Sequence, residues 1–176
     1  MSRYRRSFVD GGSYFFTVAL TNRKENLLIW HIDKLRSAVQ TVKRTHPFLI
    51  DAWVVLPEHM HCIWTLPEGD ADYPLRWRLI KLLFSRALPH TEFVTSTAQA
   101  RGERGIWQRR YWEHTVRDEE DFARHVAYIH FNPVKHGYVQ RVVDWPYSTF
   151  HRYVAAGLLP ENWAGEGGEI DGMFGE

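Results

Sequence analysis

Two short runs of strand-forming residues, 50–56 and 59–66, meet at Pro57-Glu58. Runs separated only by a turn dipeptide form a hairpin, and a hairpin in mid-chain limits the architecture because its neighbours must cover its faces. Residues 32–45 precede it with Ile32, Leu35, Val39 and Val42 at three- and four-residue spacing and Pro47 just beyond, which predicts an amphipathic helix. Residues 74–88 follow it, with Pro74 suited to the first helical position and apolar residues recurring among Arg76, Arg78, Lys81 and Arg86, a second and basic helix. Residues 13–22, aromatic and β-branched between Gly11-Gly12 and Asn22-Arg23-Lys24, predict a buried first strand. Residues 112–117 resemble a fourth strand. Asp118 then caps a helix over 119–132, with acidic residues in its first turn and Pro133 and Gly137 ending it. Residues 89–106 read as a long polar loop, and a short helix over 149–156 precedes a Gly-rich end. The order is strand, helix, strand, strand, helix, strand, helix. It predicts an α+β fold, a ferredoxin-like split βαβ with a central antiparallel sheet, helices packed on it and an extra C-terminal helix. The first and third strands are then central, which sets His59 in mid-sheet.

The chain has 176 residues, enough for one ordinary core, and eight Trp among 15% aromatic residues provide bulk for it. All 22 Lys and Arg lie in residues 1–152 with 16 of the 21 acids, so that part carries a net +6, while Glu161, Glu166, Glu169, Asp171 and Glu176 follow without a single base. The expected division is a basic body, 1–152, and an acidic, Gly-rich tail, 153–176. A basic body suits a polyanion, although a solvated basic face explains a modest excess as well. Cys62 is the sole cysteine, so an intrachain disulfide or multi-cysteine zinc site is excluded and any metal must use His, carboxylate or amide ligands. No apolar run approaches the ~20 residues that span a bilayer, and the start lacks the apolar stretch of a secretory signal. The cytoplasm is the expected address.

His59-Met60-His61 sets two imidazoles at i and i+2, on one face of an extended strand, with Met60 on the other. Two such nitrogens can share a cation, or simply hydrogen-bond to backbone at a strand end. Tyr128 and Asn132, four apart, share a helical face. They offer a phenol and an amide for chemistry, or a core aromatic and a C-terminal helix cap. Glu58 can orient His59 or stay in water.

The segment Trp53-Val54-Val55-Leu56-Pro57-Glu58-His59-Met60-His61-Cys62-Ile63-Trp64, with Tyr128-Ile129-His130-Phe131-Asn132-Pro133-Val134-Lys135-His136-Gly137 downstream, resembles the REP-associated tyrosine transposases, which carry the HUH signature. Gly11-Gly12 before Phe15-Phe16-Thr17, Trp107-Gln108 before Trp112-Glu113-His114, and Asp144-Trp145-Pro146-Tyr147-Ser148 extend the likeness over most of the chain. The resemblance implies a metal-dependent endonuclease and strand-transferase that acts on single-stranded DNA at repetitive extragenic palindromic (REP) hairpins. Cleavage passes through a 5′-phosphotyrosine, and the strands can be rejoined. It matches Tyr128 to the nucleophile and His59 and His61 to metal ligands. Asn132 stands where related transposases have a glutamine as third ligand. The implied cofactor is Mg2+ or Mn2+, and the implied state a monomer or a helix-exchanging homodimer in the cytoplasm, associated with the nucleoid.

DNA contacts are expected by residue class. Arg3, Tyr4, Arg5 and Arg6 form a basic arm, Gly11 and Gly12 admit a strand to the backbone, and Arg109 and Arg110 stand beside Trp107 and Tyr111, cations among stacking surfaces. Two rival readings remain at this stage: a hairpin-binding protein without catalysis, and a metal nuclease that uses water.

Overall fold

The computed structural model describes residues 6–90, 96–102 and 104–165. Arg3, Tyr4, Arg5 and the acidic stretch after residue 165 lie outside them. Strands β1 (Ser13–Ala19), β2 (Leu49–Val55), β3 (His59–Thr65) and β4 (Trp112–Thr115) form one antiparallel sheet in the order β2-β3-β1-β4. This is the expected split βαβ order, and it makes β3 and β1 central.

Alternation along the strands builds two cores. Tyr14, Phe16, Val18, Trp53, Val55, Met60, Cys62 and Trp64 point to one face and pack under helices α2 (Ile32–Thr45) and α3 (Tyr73–Ala87), after a single turn, α1 (Leu27–Trp30). Trp64 stacks on Trp77 of α3 with ring centres 4.1 Å apart, both fully buried. Burial of an indole this size stabilises by roughly 4–6 kcal/mol relative to exposure. Phe15, Ala52, Val54 and Ile63 point the other way, against Val126, Tyr128 and Ile129 of α5 (Glu119–Lys135).

Local chemistry fixes the helix ends. Asp72 accepts from Leu75 N at 3.0 Å ahead of α3, and Asp118 accepts from Asp121 N at 2.8 Å ahead of α5. Within residues 89–106, expected as loop, a short helix α4 (Ser96–Ala100) forms. The first strand stops at Ala19 rather than residue 22, because Leu20 turns to bridge Trp107.

A further difference bears on the site. The expected helix over 119–132 continues through Pro133 to Lys135. Proline lacks an N–H and so forfeits one bond, but in the last turn the loss is confined to that position. His136 N still reaches Asn132 O at 3.0 Å, and Tyr138 N to Pro133 O and Gly137 N to Val134 O, both 2.9 Å, close the end around Gly137 at φ +72°.

After a 3-10 turn, Val142–Asp144, the chain runs along β2. Val55 N donates to Tyr147 O at 2.9 Å, Trp53 N to Thr149 Oγ1 at 2.8 Å and Trp145 Nε1 to Val55 O at 3.0 Å. Helix α6 (Phe150–Ala155) then crosses residue 152, and Arg152 donates to Ile50 O and Asp51 O.

Candidate active site on the histidine face of the sheet

In β3 the residues at odd positions face α5, so His59 and His61 lie beneath that helix, both fully buried, with ring centres 4.9 Å apart. Each imidazole is oriented through Nδ1. That of His59 meets Glu58 Oε1 at 2.8 Å, and that of His61 meets Thr17 Oγ1, across the β1–β3 register, at 2.8 Å. A second partner at Nδ1 is the usual arrangement of ligating histidines, and it would present Nε2 to a metal. Glu58 is 8% exposed and therefore not a solvated turn carboxylate. Burial pushes its carboxyl up, but the hydrogen bond from His59 and the charge of Arg23, 3.6 Å away, hold it net below its ordinary value. Tyr138, delivered by the closed end of α5, donates to Glu58 Oε2 at 3.3 Å.

Tyr128 enters from α5. Its ring is 5.2 Å from that of His61 and 6.0 Å from that of Phe15, and the residue is 1% exposed. Asn132, one turn later on the same face, is fully buried. The helix thus brings the phenol to His61 of its own chain, with the amide one turn further along the same face. Lys135 Nζ lies 3.5 Å from the Tyr128 hydroxyl, and the His136 ring 5.2 Å from that of His59. By residue type, two imidazoles and an amide oxygen suit a divalent cation such as Mn2+.

Among the described residues a second group, His114, Asp121 and His125, offers one ligand atom each within 4.8 Å. Its carboxylate is already engaged. Asp121 Oδ2 takes His114 Nε2 at 2.7 Å, Arg117 N at 3.0 Å and Arg117 Nε at 3.3 Å, and Oδ1 takes Arg124 at 3.4 Å. His125 Nδ1 meets Asp121 O at 2.7 Å. Burial alone would raise Asp121, but these donors outweigh it and hold the carboxyl far below its ordinary value. A cation here would compete with two guanidiniums that already balance the charge.

Of the residues expected on DNA, Arg6, Gly11, Gly12, Arg109 and Arg110 are among those described. Arg6 is exposed and lies over the Tyr111 ring, 4.7 Å to its centre, with NH1 donating to the hydroxyl at 3.0 Å. Arg109 and Arg110 are exposed just before β4. Lys81, which sequence reasoning did not single out for DNA, joins this group over Trp107 and Tyr111 at 5.7 and 5.1 Å; burial, assisted by Arg6, pushes its amine down to about 8. Gly11 and Gly12 have work within the fold. Gly11 holds φ +66°, and a Cβ on Gly12 would meet Val9 O at 2.8 Å.

Sequence reasoning missed Thr17, Arg23 and Lys135. Thr17 becomes visible only once the β1–β3 register is known. Lys135 follows the same helical face as Tyr128 and Asn132, and the expected stop at Pro133 hid it.

A scan against protein-family models finds no match. The chain is 54% identical over 166 residues, 94% of its length and 93% of the relative's, to the REP-associated tyrosine transposase of Escherichia coli strain K12. A relative from Haemophilus influenzae is 47% identical over 94% of both chains. A solved structure of a REP-associated tyrosine transposase bound to a REP hairpin superposes with a TM-score of 0.84 at 52% identity, over 100% of this chain and 98% of that one. With a shared split βαβ fold and likeness along almost its whole length, this chain belongs to the REP-associated tyrosine transposases.

Proposed function

We propose that this protein binds REP hairpins in single-stranded DNA and cleaves beside them by attack of Tyr128, with His59, His61 and Asn132 holding Mg2+ or Mn2+. The packing of Tyr128 against His61 within one chain carries the reading. In the forward step a bond forms between Tyr128 Oη and phosphorus and the bond from phosphorus to O3′ breaks. The phenolic proton leaves to solvent, and the departing oxygen takes one up as a 3′-OH. The 5′-phosphotyrosine conserves the bond energy, so reversal with another 3′-OH rejoins strands without ATP. The family is metal-dependent in general. A bound divalent ion supplies positive charge to the phosphate oxygens. His59 and His61 are fixed for ligation by Glu58 and Thr17, and Asn132 contributes its amide oxygen. Manganese suits this mixed set and magnesium is tolerated.

Phosphates run along the basic arm, Arg3, Tyr4, Arg5 and Arg6, and along Arg109 and Arg110, with Gly11 and Gly12 keeping the intervening turn close to the strand. No helix among the described residues is long and apolar enough to cross a membrane, and the reading carries cytoplasmic, nucleoid-associated action. Tyr128 and the histidine pair share a chain, which supports a monomer; a homodimer exchanging α5 builds the same site. Residues 1–152 supply the chemistry and 153–176 an acidic appendage, a division of role, since α6 crosses it.

Incubation with a labelled hairpin oligonucleotide and Mn2+, followed by denaturing electrophoresis, tests the proposal. A slow-migrating covalent band is expected with the wild type and not with Tyr128→Phe. Cleavage by Tyr128→Phe without rejoining would favour the water-using nuclease. Hairpin binding with no adduct from either protein would leave a binding module.

A further inference from the structure

His125, Tyr128, Asn132 and Lys135 are spaced three, four and three residues apart, so they stack along one face of α5 over three turns. The first three are buried, and Lys135 is exposed in the last turn. A lysine at a helix C-terminus is already well placed for the dipole and for water, and its stem ordinarily trails into solvent. Here the ammonium lies back along the helix, 5.0 Å from the centre of the Tyr128 ring and 3.5 Å from its hydroxyl. The ring contact by itself is ordinary cation–π packing. The contact with the hydroxyl sets a positive charge next to the one atom that the proposed reaction joins to phosphorus.

We infer that Lys135 is a catalytic residue that binds a non-bridging oxygen of the scissile phosphate and neutralises charge there as Tyr128 attacks. The inference rests on Tyr128 being the nucleophile. A cation touching the attacking oxygen is, at the moment of attack, beside the phosphorus to which that oxygen bonds. As the Oη–P bond forms and the P–O3′ bond breaks, negative charge spreads over the non-bridging oxygens, and a fixed ammonium stabilises it. Lys135 keeps its proton throughout and the step needs no other reactant. The imidazole pair belongs to the sheet and the ammonium to the helix, so the phosphate would meet groups from both elements. The extension of α5 through Pro133 makes this possible, since a helix stopping at Asn132 would not carry residue 135 on the same face.

The test separates chemistry from packing. Single-turnover cleavage of a hairpin oligonucleotide with Mn2+ and hairpin affinity are measured separately for wild type, Lys135→Met, Lys135→Gln and Lys135→Arg. Each is also given an oligonucleotide with an uncharged methylphosphonate at the scissile position. Both neutral variants are expected to cleave the normal strand about 100-fold more slowly, the scale of losing one transition-state charge contact. Hairpin affinity should fall far less than the rate, by the share of one phosphate contact among many, and Lys135→Arg should recover much of the rate. On the methylphosphonate the deficit of the neutral variants should shrink, because the charge that the ammonium meets is gone. Wild-type rates in folded Lys135→Met or Lys135→Gln, or an equal deficit on both substrates, would overturn the inference. Tyr128→Phe runs alongside. If it still cleaves, the nucleophile reading fails and this inference with it; if it is inert while the neutral variants match wild type, only the role of Lys135 fails.

Discussion

The same strands build both faces of the sheet, yet the two faces are closed with different chemistry. Under α2 and α3 lie indoles, phenyl rings and aliphatic chains, with Trp64 and Trp77 in face-to-face contact. On the other face lie His59, His61 and Thr17 from the sheet and Tyr128 and Asn132 from α5, all below the surface. Buried polar groups cost free energy unless partnered, which is why His61 is held by Thr17 and His59 by Glu58. One face can therefore be tuned for stability while the other holds polar groups in fixed positions. Neighbouring residues of a strand, such as His61 and Cys62, serve opposite ends.

That contrast can be broken from either side. The largest effect is expected on the polar face, where Tyr128→Phe should lower adduct formation by at least about 10^4-fold, as loss of a nucleophile does, with an unfolding midpoint close to wild type in denaturant titration. Comparable loss of stability in that variant would mean the phenol is chiefly structural. On the apolar face, Trp77→Ala should cost about 3–5 kcal/mol in the same titration, while the protein that remains folded keeps its cleavage rate. A smaller effect follows from His130, at the seam between α5 and α6, where it meets Thr149 Oγ1 at 3.0 Å. Burial, with Arg152 and His151 adding to it, pushes the imidazole down to about 4. The unfolded chain then binds that proton first, so stability should be full above about pH 6.5 and fall by roughly 3 kcal/mol as the pH drops toward 4. Asp121 acts further down the scale. Its lowered carboxyl stabilises the fold above the ordinary aspartate range, and that contribution is lost as the pH falls below it. Hydrogen exchange at pH 5 should accordingly loosen α5 before α2 and α3; uniform loosening would contradict the division. The smallest change is expected from Glu58→Gln, which should weaken Mn2+ binding about tenfold by releasing the His59 ring, measured by calorimetry.

Much of this division is legible before any coordinates. Period-two alternation assigns Met60 and the two histidines to opposite faces, Asp118 announces the start of α5, and the order of elements gives the sheet. What was hidden depends on contacts between distant segments. The pairing of Thr17 with His61 needs the β1–β3 register. The continuation of α5 past Pro133 needs the closed turn at Gly137, because a proline read alone signals a stop. The glycines before β1 suggest an approach for DNA, and their packing against Glu68 and Val9 of the same chain could not be read from the sequence. Glu58 was ambiguous because a turn residue's burial depends on Tyr138 and Arg23, which arrive from elsewhere.

The segment from Trp145 to Arg152 occupies the hydrogen-bonding groups along β2. An outermost strand left bare is a template on which other chains can add, and the opposite border of this sheet, β4, is only four residues long. The stretch that closes the fold near its C-terminal end thus also keeps molecules from stitching together into aggregates, so a protease cut ahead of Trp145 would compromise solubility before it touched the chemistry.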